Sequence, residues 1–317
     1  MRDRYNREIT YLRLSVTDLC NLRCRYCMPE EGVCKLRHED ILTEDEMIGA
    51  VEAAASLGIR KLRITGGEPL VKKNILSICR RAAAVQGIEE LCLTTNGTLL
   101  GEFAESLQQA GVGRINISLD TLDPDKYAFM TRGGKLQDAL DGIETALRTG
   151  FRKIKINTVL IGGFNDDEIP ALAELTRRWP ADVRFIELMP MPGQEPFSEG
   201  AFVPDARVME MMPELEPVKQ DEGVAKLWRL PDAQGNIGLI SPVYETFCGK
   251  CSRIRLTADG KLKPCLHSSE EYPIKGLSAE QVKEQFIRAI MSKPECHERL
   301  SYSESSHSQR SMHAIGG

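Results

Sequence analysis

Cysteines are concentrated in two short stretches of the 317-residue sequence. Cys20, Cys24 and Cys27 lie within the octapeptide CNLRCRYC, at C-x3-C-x2-C spacing. A second set, at C-x2-C-x13-C spacing, comprises Cys248, Cys251 and Cys265. Thiolates bind zinc and iron–sulfur clusters, and three thiolates leave one iron of a [4Fe–4S] cluster without a protein ligand. The first set therefore indicates a cluster whose open iron can bind another molecule.

Zinc is the alternative metal at both sets. At the first set a distant residue such as His38 would have to complete the site, and the spacing differs from the usual C-x2-4-C zinc pairing, so a cluster is favoured. At the second set His267 could complete a Cys3His site, and spacing alone leaves zinc and a cluster equally open. The remaining cysteines match no ligand spacing. Two of them fall within apolar patterns that predict buried thiols, namely Cys79 and Cys92.

The composition predicts an ordinary soluble α/β protein of one elaborated domain or about two domains. Hydrophobic residues make up 42% and charged residues 27%, and the net charge of −5 argues against a nucleic-acid partner. The N-terminus has no signal-peptide pattern, and no later apolar run reaches the ~18 residues that a membrane span needs. We therefore expect a cytoplasmic protein with no membrane partner, whose cysteines are reduced.

Elements that could position the cysteines alternate along the first two-thirds of the chain. A helix is predicted to begin after Thr43, which forms a capping box with Glu46, and to end near Gly58. Other helical patterns cover 74–85, 101–110, 136–149 and 166–179. Strand patterns cover 11–17, 59–65, 90–95, 114–119, 153–160 and 182–188. Such alternation is typical of right-handed βαβ units in a parallel sheet or barrel.

The strands also alternate between apolar and polar residues, which is unusual for parallel strands covered on both faces. Leu12 and Leu14 flank Arg13, Leu62 and Ile64 flank Arg63, and Ile154 and Ile156 flank Lys155. An antiparallel sheet with a wet face would show the same pattern, but the intervening helices disfavour it. We predict an incomplete (β/α)6 TIM-type barrel with a polar lumen and an active site at the C-terminal strand ends.

The character of the sequence changes after residue 190. Short strand patterns at 224–230, 237–241 and 253–257 are followed by a helical pattern at 278–291. We expect a smaller α+β extension that carries the second cysteine set. The predicted domains are residues 1–215, the barrel, and residues 216–317, the extension with its Gly-Gly end.

The first cysteine set together with GGEP at 66–69, after the second strand pattern, resembles the radical S-adenosylmethionine (SAM) enzymes. Alone, GGEP would be a commonplace tight turn. The resemblance implies that the open iron of a [4Fe–4S] cluster chelates the amino and carboxylate groups of SAM, and that an electron from the cluster cleaves SAM to a 5′-deoxyadenosyl radical.

Further segments narrow the resemblance to the GTP 3′,8-cyclase family of these enzymes. They span nearly the whole chain in order: LRLSVTDLCNLRCRYCMPEEG, RITGGEPL, TTNG, SLDTLD, KINTVLIGGFND, FIELMP, FCGKCSRIRLTADGKLKPCL and the terminal IGG. The resemblance implies a lyase for the first step of molybdenum cofactor biosynthesis. The radical would remove hydrogen from C3′ of GTP, C3′ would attack C8 of guanine, and reduction would complete the product. A second [4Fe–4S] cluster facing GTP, an external electron donor and a homodimer are also implied.

Residue roles follow from the same resemblance. Both cysteine sets would ligate clusters, and SAM would contact Tyr26, Gly67, Ser118 and Met189. GTP would bind Arg13, Arg63, Thr94, Lys155, Arg253 and Arg255. The implied catalytic residues are Arg13, Arg253, Arg255, Gly316 and Gly317. The sequence departs from the family at Leu19, where an arginine is common, and at Ser252, where an asparagine is common.

Two other functions fit part of this sequence. A different two-cluster radical SAM enzyme, such as a peptide maturase, usually has more C-terminal cysteines and lacks the Arg253–Arg255 pair with a terminal double glycine. A zinc-stabilised binding module would fit the second cysteine set but leaves the polar lumen unexplained.

Overall fold

In the computed structural model the predicted strands and helices follow one another in the predicted order, and short elements at 124–131, 206–211, 216–217, 261–263, 272–273 and 312–315 are additional. The structure describes residues 1–32, 36–192, 194, 197–219, 223–301 and 306–316. The strands are Tyr11–Ser15 (β1), Lys61–Thr65 (β2), Glu90–Thr95 (β3), Arg114–Ser118 (β4), Lys153–Leu160 (β5), Asp182–Glu187 (β6), Glu216–Pro217 (β7), Lys226–Arg229 (β8), Ile237–Ile240 (β9), Arg253–Leu256 (β10), Lys261–Lys263 (β11) and Tyr272–Pro273 (β12). The α-helices are Glu44–Ser56 (α1), Ile75–Ala83 (α2), Leu100–Gln109 (α3), Pro124–Thr131 (α4), Leu136–Thr149 (α5), Ile169–Arg178 (α6), Ala206–Met211 (α7), Ala279–Met291 (α8) and Met312–Ile315 (α9).

The strands of the described residues form one twelve-stranded sheet in the order β12-β11-β10-β1-β2-β3-β4-β5-β6-β9-β8-β7. Strands β1 to β6 are parallel neighbours, as the βαβ pattern predicts. Within the described ranges β1 and β6 do not pair with each other, so the barrel is open. The predicted incomplete barrel is confirmed.

The C-terminal strands continue the barrel sheet on both of its edges. Strand β10 pairs in parallel with β1, and β9 pairs in parallel with β6, which extends the six predicted parallel strands to eight. The antiparallel strands β11 and β12 lie beyond β10, and β8 and β7 lie beyond β9. The predicted domain boundary between residues 215 and 216 stays a prediction, and the sheet itself runs across it.

The two faces of the parallel strands differ as their alternation predicts. The apolar residues of β1 and β2, for example Leu12 and Ile64, are fully buried in one core with the inner faces of the helices. Burying each such side chain contributes roughly 1.5–3 kcal/mol. The opposite face is polar and lines the open barrel. No helix in the described ranges is long and apolar enough to cross a membrane.

Helix α1 begins as the capping box predicts. The Thr43 hydroxyl accepts a hydrogen bond from the Glu46 backbone N–H at 3.2 Å, and the Glu46 carboxylate accepts one from the Thr43 N–H at 2.8 Å. These bonds satisfy two N-terminal donors that the helix itself cannot pair. The helix fixes the connection between β1, which precedes the first cysteine set, and β2, which precedes GGEP.

Candidate active site

The first cysteine set lies on the loop that follows β1. The backbone N–H groups of Cys27 and Met28 both donate to the Cys24 carbonyl at 2.9 Å, which folds this part of the loop into a turn. All three cysteines are free, half-buried thiols. Burial raises the pKa of Cys20 and of Cys24, and raises that of Cys27 to about 12. A thiolate here needs a positive charge, and a bound metal supplies one.

The donor set fits an iron–sulfur cluster, because three free thiols share one short loop. In the part of the chain that the structure describes, no group of three His, Cys, Asp or Glu side chains is arranged to hold a metal ion. The two histidines that could complete zinc sites differ in exposure. His38 is exposed in a 3-10 turn, and His267 is buried with its Nδ1 atom 3.0 Å from the Ser306 hydroxyl.

The GGEP segment packs directly against this loop. The Gly67 N–H donates to the Thr17 carbonyl, and the Glu68 N–H donates to the Leu19 carbonyl, both at 2.8 Å. A Cβ atom on Gly67 would lie 2.3 Å from the Leu19 carbonyl oxygen, so a side chain there would force the two segments apart. Glycine is therefore required for this close backbone approach.

Glu68, to which the sequence assigned no role, joins three parts of the site. One carboxylate oxygen accepts from the Leu70 N–H at 3.0 Å and the Thr95 hydroxyl at 2.7 Å, and the other accepts from the Asn96 N–H at 2.7 Å. Asn96 in turn donates to Asn21 in the cysteine loop at 2.8 Å. Burial raises the Glu68 pKa to about 7 against the effect of these bonds. The carboxylate thus connects β2, β3 and the cysteine loop.

A Glu68→Gln variant is expected to lose about 1–3 kcal/mol of unfolding free energy. An amide keeps one acceptor oxygen and replaces the other with an NH2 donor group, so at least one backbone N–H that donates to the carboxylate loses its partner. Urea unfolding followed by circular dichroism measures the loss. Glu284→Gln, on the exposed side of α8, is the control and should change stability by less than about 0.5 kcal/mol. Equal stabilities of the two variants would contradict this role.

The Glu68 pKa also gives stability a pH dependence. Its folded-state pKa of about 7 lies above the usual glutamate value of 4.5, so the folded protein binds more protons between these values. This group therefore contributes less stability as pH rises from about 4.5 to about 7.

Cations line the polar face of the barrel. Arg13 on β1 lies in register with Arg63 on β2 and with Arg255 on β10. Burial, and then the charge of Arg255, hold the Arg13 pKa well below its usual value. Burial and neighbouring Arg184 lower the Lys155 pKa to about 7. Buried like charges of this kind favour a bound polyanion.

Several polar atoms on this face have no protein partner. The Asn116 Oδ1, Asn157 Oδ1 and Arg184 Nε atoms are buried and accept or donate no hydrogen bond within the described residues. Asn116 lies in register with Lys155, and Asn157 with Arg184. Because buried polar atoms in folded proteins are nearly always hydrogen-bonded, these atoms indicate a polar ligand in the lumen. Sequence reasoning missed Arg184, although it alternates with apolar Val183 and Phe185 as the assigned cations do.

The residues predicted to contact SAM lie near the C-terminal ends of the strands. Gly67 follows β2, Ser118 ends β4, and Met189 follows β6. The Tyr26 hydroxyl donates to the Asp120 carboxylate at 2.8 Å, and burial raises the Asp120 pKa to about 6. Sequence reasoning missed Asp120, which holds the cysteine loop to the β4 end and also accepts from the Val159 N–H at 2.9 Å.

The remaining residues predicted to bind GTP are Thr94 and Arg253. Thr94 lies on β3 and accepts a hydrogen bond from Arg63 at 3.1 Å. Arg253 begins β10, and its guanidinium lies 5.0 Å from the centre of the Phe247 ring. Both therefore lie on strands that contribute to the cationic face.

The second cysteine set lies at the opposite strand ends. Cys251 lies two residues before the start of β10, whose first residue is in register with Tyr11 at the start of β1. Cys265 follows β11, which runs antiparallel to β10. Burial raises the Cys251 pKa, but the charges of Arg253 and Lys293 have the larger combined effect and lower it to about 6. A thiolate is thus favoured, as cluster ligation requires.

The C-terminal tail enters the lumen between these sets. The Gly316 carbonyl accepts a hydrogen bond from Arg255 at 2.9 Å, and Ile315 is fully buried. Gly316 has a φ of +82°, and an added Cβ would lie 2.4 Å from the Thr65 hydroxyl oxygen. Gly317 lies outside the described residues. The structure thus brings Gly316 to the row of cations.

Known proteins match this chain over nearly its whole length. Residues 14–176 match the family model of the radical SAM superfamily, and residues 181–299 match that of Molybdenum Cofactor Synthesis C. A GTP 3′,8-cyclase of Alkaliphilus oremlandii is 47% identical over 323 residues, with both chains covered in full. One of Pelotomaculum thermopropionicum is 47% identical over 328 residues, again with full coverage.

Solved structures share the fold at low sequence identity. Streptococcus suis SuiB superposes with a TM-score of 0.61 at 13% identity, covering 83% of this chain and 62% of SuiB. The structure of anSMEcpe with bound AdoMet superposes with a TM-score of 0.57 at 12% identity, covering 92% of this chain and 82% of anSMEcpe. These likenesses concern the fold alone, and both are to larger chains.

Proposed function

The chain belongs to the radical SAM superfamily and, within it, to the GTP 3′,8-cyclase family, and we propose that its polar lumen is the chamber where SAM and GTP meet. It is a lyase that converts GTP to (8S)-3′,8-cyclo-7,8-dihydroguanosine 5′-triphosphate, the first step of molybdenum cofactor biosynthesis. The observation that supports the chamber is the row of Arg13, Arg63 and Arg255, which lies between two cysteine sets at opposite strand ends.

The cofactors are SAM and two [4Fe–4S] clusters. We assign the first cluster to Cys20, Cys24 and Cys27, and the second to Cys248, Cys251 and Cys265. We assign SAM contacts to Tyr26, Gly67, Ser118 and Met189. When bound and reduced by an external electron donor, the first cluster would supply the electron that cleaves SAM to methionine and a 5′-deoxyadenosyl radical, which can take a hydrogen atom from the substrate. The protein must therefore place the two small molecules in contact and keep water out.

The triphosphate is the part of GTP that suits the cationic row. Guanidinium groups form bidentate hydrogen bonds with phosphate oxygens, and burial strengthens them. We assign GTP contacts to Arg13, Arg63, Thr94, Lys155, Arg253 and Arg255, and add Arg184. Binding of a polyanion would also restore the lowered pKa values of Arg13 and Lys155, because the charged forms would gain a partner.

The tail has a positioning role in this proposal. Arg255 is bonded to the Gly316 carbonyl, which leaves its guanidinium fixed beside Arg13. Gly316 lies beside Ser15 and Thr65, and Ile315 before it is fully buried, so the tail limits the water that can enter there. Gly317, by extension of the same tail, is proposed to support catalysis. Held in this way, C3′ and C8 of GTP can approach each other without competing hydrolysis.

Two further assignments are proposals. We place the enzyme in the cytoplasm, because cluster cysteines require a reducing compartment. We also propose a homodimer, on the family resemblance.

The test is anaerobic incubation of the reconstituted enzyme with GTP, SAM and dithionite, followed by product analysis. We expect 5′-deoxyadenosine and cyclised GTP in wild type, and absence of 5′-deoxyadenosine would contradict the proposal.

In the same assay Arg184→Met should raise the KM for GTP about 10- to 100-fold, since one charge-assisted bond contributes about 1.5–3 kcal/mol. Arg178→Met removes an exposed arginine of α6 and should leave KM unchanged.

A further inference from the structure

Lys293, directly after α8, contacts two of the segments that carry cysteines of the second set. Its side chain is buried, with 3% of the residue exposed. The ammonium donates to the Arg253 carbonyl at 3.0 Å and to the Pro264 carbonyl at 2.7 Å. Arg253 lies two residues after Cys251, and Pro264 immediately precedes Cys265. One side chain therefore fixes the spacing between these two cysteines.

Arg7 connects the third cysteine to the same region of the chain. Its guanidinium donates to the Cys248 carbonyl at 2.9 Å and to the carbonyls of Pro294 and Glu295 at 2.7 and 2.8 Å. The remaining Nε donor forms a buried ion pair with Asp3 at 2.6 Å. The residues that follow Lys293 thus hold Arg7, and Arg7 holds the backbone of Cys248.

The charge of Lys293 points to an anion beside it. Among the described residues its ammonium forms no salt bridge, and its two hydrogen-bond partners are neutral carbonyls. A buried charge without a counter-charge is costly. Three thiolates and a [4Fe–4S] cluster together are anionic, and they become more so on reduction. Because Cys251 and Cys265 lie close in sequence to Arg253 and Pro264, the cluster would supply the negative charge that balances the Lys293 ammonium.

We propose that Lys293 and Arg7 are positioning residues for the second cluster. They set the distances among the segments of Cys248, Cys251 and Cys265, and the Lys293 charge stabilises the reduced cluster. The inference rests on the proposed assignment of these cysteines as cluster ligands. Neither residue touches the reacting atoms, and both act through the cluster that faces GTP.

The experiment compares full-length Lys293→Met and Lys293→Arg after anaerobic reconstitution. Wild type should hold about eight irons per chain, and Lys293→Met about four, because the second cluster is lost. Any second-cluster signal that remains should titrate at a more negative potential in electron paramagnetic resonance, since a fixed cation is gone. Lys293→Arg keeps the charge and should restore the iron content. Lys275→Met is the control, because Lys275 bonds instead to Ile41 and Glu46.

An Arg7→Lys variant keeps the inference testable if Lys293→Met does not fold, as circular dichroism will show. It retains the charge but removes the fork that reaches Cys248, Pro294 and Glu295, so second-cluster iron should fall. Arg2→Lys is its control, since Arg2 is exposed and bonds only locally to Asn6. The inference would be overturned if both Lys293→Met and Arg7→Lys held about eight irons and kept the wild-type reduction potential of the second cluster.

A Cys251→Ala variant separates this outcome from failure of the cluster assignment. If wild type and Cys251→Ala both hold about four irons, the second cluster itself is absent, and the assignment and the inference fail together. The other case is that wild type holds about eight irons and Cys251→Ala about four, so the second cluster is present. If Lys293→Met then also holds about eight irons and its second cluster keeps the wild-type potential, the inference alone fails.

Discussion

Replacing Cys24 with alanine is expected to abolish SAM cleavage and to reduce the iron content from about eight to about four per chain. Cys24 supplies one of the three thiols of the first set, and its carbonyl accepts the two bonds that fold the loop. With two thiolates the cluster would have two irons without protein ligands and would not be retained. Iron and sulfide analysis, with chromatography of 5′-deoxyadenosine, measures both effects.

Cys79→Ala is the matched control. Cys79 is a fully buried thiol of α2 that packs in the core, as its apolar pattern predicts. Its loss should leave the iron content and SAM cleavage unchanged and affect only stability. Wild-type iron content in Cys24→Ala would contradict the cluster assignment, whatever its activity.

The alternation of single strands was sufficient to predict the barrel and its lumen. Arg13, Arg63 and Lys155 each lie between two apolar neighbours, so burying one face forces the other face into the lumen. Residue types alone therefore identified the cationic face before any pairing was known. The same rule would have identified Arg184 on β6, where it was not applied.

The pairing of β9 and β10 with the barrel edges could not be predicted in this way. Their partners are β6 and β1, and β10 lies more than two hundred residues from β1 in sequence. Local alternation carries no information on partners so distant. For the same reason the sequence predicted the C-terminal extension but not that its strands β9 and β10 continue the barrel sheet. Cys92 shows a related limit: it is buried as predicted, but it lies on the polar face in register with Arg63.

Buried carboxylates also escaped prediction, because their function depends on partners from several loops. Glu68 is part of GGEP, yet only the structure shows its bonds to Leu70, Thr95 and Asn96. Asp120 ends an alternating strand pattern and could have been assigned to the lumen, but not to Tyr26. By contrast, the assignment of Met189 to SAM depends on family resemblance alone.

Replacing Gly316 with alanine is expected to lower cyclisation of GTP at least about 100-fold while both clusters remain. The added Cβ would lie 2.4 Å from the Thr65 hydroxyl oxygen and 3.0 Å from Ser15 Cβ, so the tail must withdraw. Withdrawal would break the bond from Arg255 to the Gly316 carbonyl and release a guanidinium proposed to hold the triphosphate. A displacement of about 1 Å in a reacting group can reduce a rate about 100-fold.

The effect of the clash can be separated from the effect of backbone strain. Gly276 has a φ of +73° and no atom within 4 Å of an added Cβ, so Gly276→Ala imposes similar strain without a clash. We expect Gly276→Ala to cyclise GTP at the wild-type rate and Gly316→Ala to keep about eight irons. The measured quantities are cyclised GTP and 5′-deoxyadenosine formed per chain. A wild-type rate in Gly316→Ala would show that the tail does not position Arg255, since the close contacts with Thr65 and Ser15 leave no room for the added methyl group.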